Sequence, residues 1–355
     1  MPAPAARRRA GVPLWRDDGP VRAWEVTTPG PMAGGPLRLV DKPLPEPGPG
    51  QVRVRVSVCG VCRTDLHVVE GDLPVHRPHV VPGHQVVGTV DALGPGATRF
   101  AFGDRVGVAW LASTDTTCRF CRRGDENLCP SATFTGWDHD GGYAEATVAD
   151  ERYVYRIPDD LPDDQAAPLL CAGIIGYRAL RRTDLPPGGR LGIYGFGASA
   201  HLIAQVAMRQ GAEVHVVTRS PEAQRLALEL GVASAGPADA RPPVPLDAAI
   251  VFAPAGVVVP PALEALDRGG VCVIAGIYLT DVPPLTYEDH LFYERQLRTV
   301  TANTRRDGEE LLRLAPRLGV VASTMPYPFE AADHALADLA ADRVTGVAVL
   351  RVASG

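Results

Sequence analysis

Six residues, Gly195-Phe196-Gly197-Ala198-Ser199-Ala200, fit the pattern Gly-x-Gly-x-x-Ala. They follow a short apolar run, Leu191 to Tyr194, and open a helical stretch from Ser199 to Gln210. In that context the first glycine permits a tight turn and the second lets backbone approach a pyrophosphate. A small residue at Ala200 lets the helix pack on the strand, while the first helical amides face the phosphates. The pattern alone is weak; set between a strand and a helix it predicts a dinucleotide site. Such a site usually carries an acid about 20 residues further on, to bind the ribose 2′-hydroxyl of NAD. Here that place is taken by Thr218-Arg219-Ser220. A carboxylate would repel a 2′-phosphate, whereas a guanidinium between two hydroxyls can bind one. Thr218, Arg219 and Ser220 are therefore read as favouring NADP, against the plainer reading of a solvated loop arginine.

The other reactive side chains are seven cysteines. Cys118, Cys121 and Cys129 fall close together, Cys59 and Cys62 form a Cys-x-x-Cys, and Cys171 stands alone further on. The first twenty residues hold Arg7, Arg8 and Arg9, but Asp17, Asp18 and Gly19 follow where a signal peptide needs an apolar run. A short disordered tail over Met1 to Pro20 is expected, with the cytoplasm as the default location. There, thiols or metal ligands are the expected roles rather than disulfides. Any single cysteine could equally be core, since free cysteine is among the most buried residue types.

The elements that must position these groups are legible in outline. Gln51 to Cys59 alternates Val52, Val54, Val56 and Val58 with Arg53, Arg55 and Ser57, the period of a half-buried strand. Val86 to Val90 and Arg105 to Ala109 read as further strands, so the first half is β-rich. Beyond Pro168 the texture changes. Leu191 to Tyr194, Val214 to Val217, Ala248 to Phe252, Val271 to Ala275 and Thr299 to Ala302 are strand candidates. They alternate with helices over Ser199 to Gln210, Pro221 to Leu230 and Pro261 to Leu266. That alternation predicts a parallel, doubly wound sheet. Asp307 to Leu318 and Glu330 to Leu339 read as helices, and Val347 to Val352 as a strand returning to the first half.

Composition agrees. The 355 residues are 46% hydrophobic and 21% charged, with a net charge of −6, which suits a globular chain and argues against a nucleic-acid scaffold. No apolar stretch approaches the roughly 18 residues of a membrane helix.

Cys62-Arg63-Thr64-Asp65-Leu66-His67, then Gly83-His84, then Cys171 before the glycine turn, resembles the zinc-dependent alcohol dehydrogenases of the medium-chain dehydrogenase/reductase family. Gly141-Gly142-Tyr143-Ala144-Glu145 and the stretch from Ile277 to Arg305 carry the likeness along the chain. The resemblance implies an α/β fold: a GroES-like β-rich catalytic domain over 21–171, a Rossmann domain over 172–304, and a return to the first over 305–355. It implies a catalytic zinc on Cys62, His84 and Cys171. It implies a proton relay from Thr64 to His67, with Asp65 orienting a zinc-bound histidine. Cys118, Cys121 and Cys129 are similar to three of the four cysteines of the family's second zinc lobe, whose first would fall at Asp115. A carboxylate can ligate zinc but is a harder ligand than thiolate, so weaker retention is expected.

Other departures are Gln85, where the family commonly has glutamate, and Arg343, slightly too early for the family's pyrophosphate contact. Cys59 matches no family ligand. Trp110, Leu111 and Leu73 sit where relatives line the substrate pocket, though each could be core. The implied partner is a small alcohol or carbonyl compound, and the implied assembly a homodimer or homotetramer. Two rival functions stay open: a dehydrogenase of a polar or biosynthetic substrate, and an NADPH- or zinc-binding module without turnover.

Overall fold

The computed structural model describes residues 19–276 and 278–352. Except for Gly19 and Pro20, the tail expected over Met1 to Pro20 lies outside the described residues.

The alternating valines form the middle of a seven-stranded sheet. Val52, Val54 and Val56 are fully buried, and their strand, Gln51–Val61, pairs with Gln85–Leu93, Ala146–Asp150 and Val347–Arg351. Arg105–Val108 and Val154–Arg156 extend one side. At the other edge Thr324–Pro328 runs parallel to Val347–Arg351. Its two prolines suit an edge, where missing N–H groups cost nothing. The chain's last strand thus joins the sheet that the first half begins.

The second sheet has six strands, all parallel. Its order in space is Ser234–Gly236, Glu213–Val217, Arg190–Tyr194, Leu246–Val251, Leu266–Ile274 and Gln296–Thr299. Counted along the chain this is 3-2-1-4-5-6, the Rossmann order, with its crevice where the winding reverses beside Arg190–Tyr194. Helix Ala198–Arg209 buries Ala200, Leu202, Ile203 and Val206. Helix Pro221–Glu229 starts as expected, with Ser220 capping the Ala223 amide and proline in the first turn.

Some boundaries move, each for a physical reason. The strand expected at Thr299 to Ala302 is Gln296–Thr299, because Ala302 has φ +48 and the chain leaves the sheet there. The next helix begins at Arg305 rather than Asp307, since Thr304 and Asp307 form a capping box. Leu266–Ile274 starts before Val271 because Leu266 pairs with Leu246, and the preceding helix is accordingly Val259–Glu264. No helix among the described residues is long and apolar enough to cross a membrane.

Candidate metal centre and cofactor turn

Cys62 ends the central strand in an extended conformation and caps the helix Arg63–Glu70. The Asp65 carboxylate accepts from the Cys62 amide at 3.0 Å, and the Thr64 amide donates to the Cys62 sulfur at 3.4 Å. Asp65 also accepts from His84 Nδ1 at 2.7 Å, the Gly83 amide at 3.2 Å and the Tyr143 hydroxyl at 3.4 Å. Gly83 has φ +97, and a Cβ there would strike Tyr143 at 2.3 Å, so glycine is required just before the histidine. That contact accounts for much of the Gly141 to Glu145 motif: Tyr143 fills the space behind the cluster.

Cys171 arrives from the other direction. Helix Asp163–Pro168 passes into a π-helical turn, Leu169–Gly173, before helix Ile174–Arg181. The turn presents Cys171 Sγ 3.8 Å from Cys62 Sγ. One ligand atom from each of Cys62, His84 and Cys171 lies within 4.8 Å of the others. The structure therefore brings together three residues that are far apart in the chain.

The donor set fits a soft divalent cation. His84 Nδ1 is taken by Asp65, while His84 Nε2 is buried with no hydrogen-bond partner, as expected of an imidazole nitrogen reserved for a metal. Two thiols and one imidazole are zinc-type ligands. The charges agree. The Cys62 thiol is held well below its ordinary range, foremost by the hydrogen bond with Cys171, while Cys171 is raised by that same bond and by burial. Burial pushes the His84 imidazole down, but the Asp65 carboxylate and Cys62 outweigh it and hold it at about 10. The Cys62 and Asp65 anions thus hold a proton on His84, and a cation bound there would take that proton's place.

Thr64 and His67 share one helix face at a spacing of three. His67 Nδ1 pairs with Asp72 Oδ2 at 2.8 Å, and its ring stacks on Tyr278 at 5.0 Å. In the sequence Asp72 carries no signal beyond its place one residue past the helix-ending Gly71. Trp110 meets the His84 ring edge-on at 5.0 Å and stacks with Phe134 and Trp137. Leu111 is buried, and Leu73 is half-buried against the core that holds Val69 and Val80. Cys59 is a packed strand residue, fully buried. Gln85 is buried next to His84 in the chain, with its Oε1 unpartnered.

The second cluster gathers Asp115, Cys118, Cys121 and Cys129, again within 4.8 Å. Asp115 Oδ1 accepts from the Thr117 and Cys118 amides, both at 2.8 Å, and these bonds hold the carboxyl far below its usual range. The lobe is fastened to the other half of the molecule. Buried Glu126 pairs with Arg305 at 2.6 Å, and Asn127 Nδ2 donates to the Thr301 carbonyl at 2.8 Å.

At the glycine turn, Gly195 has φ +87 and a Cβ there would meet the Ala253 amide nitrogen at 2.7 Å. Gly197 caps the helix, and nothing lies within 4 Å of where its Cβ would be. That open space above the helical amides is what a pyrophosphate needs. Thr218 is buried, Arg219 is exposed, and the Ser220 hydroxyl donates to Glu222 at 2.9 Å while capping its helix. Arg343 is engaged by Asp338 at 2.7 Å, and Arg63 pairs with Asp342.

The comparisons agree with this architecture. The family described as Alcohol dehydrogenase GroES-like domain matches residues 48–159. A probable alcohol dehydrogenase AdhA from Mycobacterium tuberculosis is 58% identical over 335 residues, covering 93% of this chain and 97% of that one. A cinnamyl alcohol dehydrogenase from Sorghum bicolor superposes with a TM-score of 0.84 at 29% identity, covering 94% and 97% of the two chains. A cobalt- and zinc-bound thermostable alcohol dehydrogenase from Pyrobaculum aerophilum gives 0.85 at 25% identity, covering 94% and 100%. The chain belongs to the alcohol dehydrogenases of the medium-chain dehydrogenase/reductase family.

Proposed function

We propose that this alcohol dehydrogenase is zinc-dependent and transfers hydride between NADP(H) and a small alcohol, aldehyde or ketone. The observation that carries the reading is the meeting of Cys62, His84 and Cys171 with His84 Nε2 left unpartnered. Those three residues would hold the catalytic zinc. The bound zinc supplies Lewis acidity toward the substrate oxygen, and the nicotinamide supplies the hydride carrier.

The chain's own residues do the rest. Asp65 orients the His84 ring by accepting a hydrogen bond from its Nδ1–H. Thr64 and His67 would carry the hydroxyl proton outward. His67 Nδ1 pairs with Asp72 Oδ2, which leaves Nε2 as the ring nitrogen outside that pair. Trp110 and its stacked neighbours make one wall apolar and exclude water there. Residues 21–171 with 305–355 would form the catalytic unit, and 172–304 the cofactor unit. Gly195, Gly197 and Ala200 would admit the pyrophosphate. Thr218, Arg219 and Ser220 would favour the 2′-phosphate, although Glu222 stands close by. The unpaired edge of Gln296–Thr299, with Tyr287 and Phe292 exposed nearby, supports assembly into a dimer or tetramer.

Zinc analysis per chain with NADPH and NADH kinetics over a panel of aldehydes tests the proposal. Turnover of simple aldehydes is expected; turnover of polyols alone, or none, would overturn it. Arg219→Asp should shift the ratio of catalytic efficiencies toward NADH by about 10- to 100-fold, the ~1.5–3 kcal/mol of a charged hydrogen bond. An unchanged ratio would remove Arg219 from the cofactor site. Asp115, Cys118, Cys121 and Cys129 would hold a second zinc. Asp115→Cys should slow its loss to a chelator by about tenfold or more. Identical release from both proteins would leave Asp115 without a ligand role.

A further inference from the structure

A cavity of about 740 Å³ opens elsewhere on the molecule, and none of Cys62, His84 or Cys171 lines it. It lies where the lobe, through Cys121 to Glu126, meets Arg99 and Arg152 of the first half and the helices Ile174–Arg181 and Arg305–Leu318. Its size is within the ~300–1,000 Å³ range of small-molecule sites.

The wall carries eight arginines against four carboxylates. All four carboxylates are already matched: Glu126 by Arg305, Asp307 by Arg178, Asp125 by Arg123 and Glu309 by Arg99. Of the four remaining arginines, Arg152 has Asp150, whereas Arg181 and Arg306 share Glu310. Arg182 has no carboxylate at ion-pair distance among the described residues. Two positive charges are therefore left over in one concave wall. Arg178 adds a buried Nε–H with no hydrogen-bond partner, a donor whose desolvation nothing in the protein repays. Concave walls of one sign concentrate counter-ions. Guanidinium forks match the paired oxygens of a phosphate group better than any other side chain does.

We propose that this cavity binds a phosphorylated small molecule, its phosphate groups held by Arg182, Arg306 and Arg178. An anion seated there would touch the lobe and the helix Arg305–Leu318 together, adding to the Glu126–Arg305 clasp. It would stabilise the folded chain in proportion to its occupancy.

The test uses the full-length, metal-loaded protein with saturating NADPH, so that the glycine turn is filled and cannot take up the probe. Fructose 1,6-bisphosphate and inorganic phosphate are titrated by calorimetry and by melting temperature, against sodium chloride at matched ionic strength. Saturable binding at one site per chain is expected. Inorganic phosphate of equal affinity would make a single phosphate the recognised unit; tighter binding of the bisphosphate would make both phosphates part of it. Arg182→Glu with Arg306→Glu should weaken binding by about tenfold or more while turnover and NADPH affinity stay unchanged. Arg182→Gln, alone and milder, should weaken it about threefold if the double variant does not fold. Stabilisation no greater than that by chloride would overturn the proposal. So would unchanged affinity in the variants, or a change of oligomeric state on charge reversal with no anion binding, which would assign this wall to a second copy of the chain.

Discussion

Cys62→Ser is expected to leave a folded protein that lacks one zinc per chain and turns over at least about 10³-fold more slowly. The several kcal/mol that a Lewis acid contributes to the reaction set that scale. Fold and metal separate cleanly at this position. Cys62 caps the helix Arg63–Glu70, and serine is among the best capping residues, so the helix start survives the change. What is lost is one of the two sulfur atoms gathered with His84. Metal content per chain and far-ultraviolet dichroism together check the result. A fully active, zinc-replete variant would refute the ligand assignment, and with it the function proposed above.

Asp65→Ala should be the most damaging substitution for stability. One buried carboxylate there accepts from His84 Nδ1, two backbone amides and the Tyr143 hydroxyl. Its removal strands those buried donors, at a cost of about 3–5 kcal/mol by analogy with broken buried charge pairs. It also frees the His84 ring to turn, which should cost about 10- to 100-fold in zinc affinity. Urea denaturation and competition with a chelator read the two effects separately. Stability within 1 kcal/mol of the parent, on the order of error for a surface change, would mean that water replaces the carboxylate and the account is wrong.

The glycine turn and the strand before it were readable in the chain because both are local. A period of two, a run of apolar residues and a small-residue turn all fall within a dozen positions. Five of the six parallel strands follow from repetition of that unit; the sixth, Ser234–Gly236, has only small residues and no apolar run to mark it. The cluster of Cys62, His84 and Cys171 is a different matter. Cys62 and Cys171 are separated by 109 positions, and only resemblance to a family paired them beforehand. The clasp between Glu126 and Arg305 spans 179 positions and left no trace in the sequence, since either residue alone looks like ordinary surface charge. Asp72 was missed for a subtler reason. It lies beyond the glycine that ends its helix, where the chain turns back, so its distance from His67 depends on the turn at Gly71 rather than on helical spacing. Ala302 shows the limit from the other side: nothing in an alanine announces a left-handed backbone, so the sequence extends the edge strand to Ala302 where the structure ends it at Thr299.

The π-helical turn at Leu169–Gly173 bears on how this protein tolerates change. Each residue of a regular α-helix advances the chain by about 100° around its axis. The widened turn holds one residue more than a regular coil would, just after Pro168, whose missing N–H already weakens the coil. Deleting a single residue between 169 and 173 would let the two flanking helices run on as one α-helix, still kinked at Pro168. Everything upstream would then swing by that angle relative to everything downstream, and the Cys171 sulfur would leave its neighbours. Local tidiness and the aim of one side chain are in conflict here, and the fold keeps the aim.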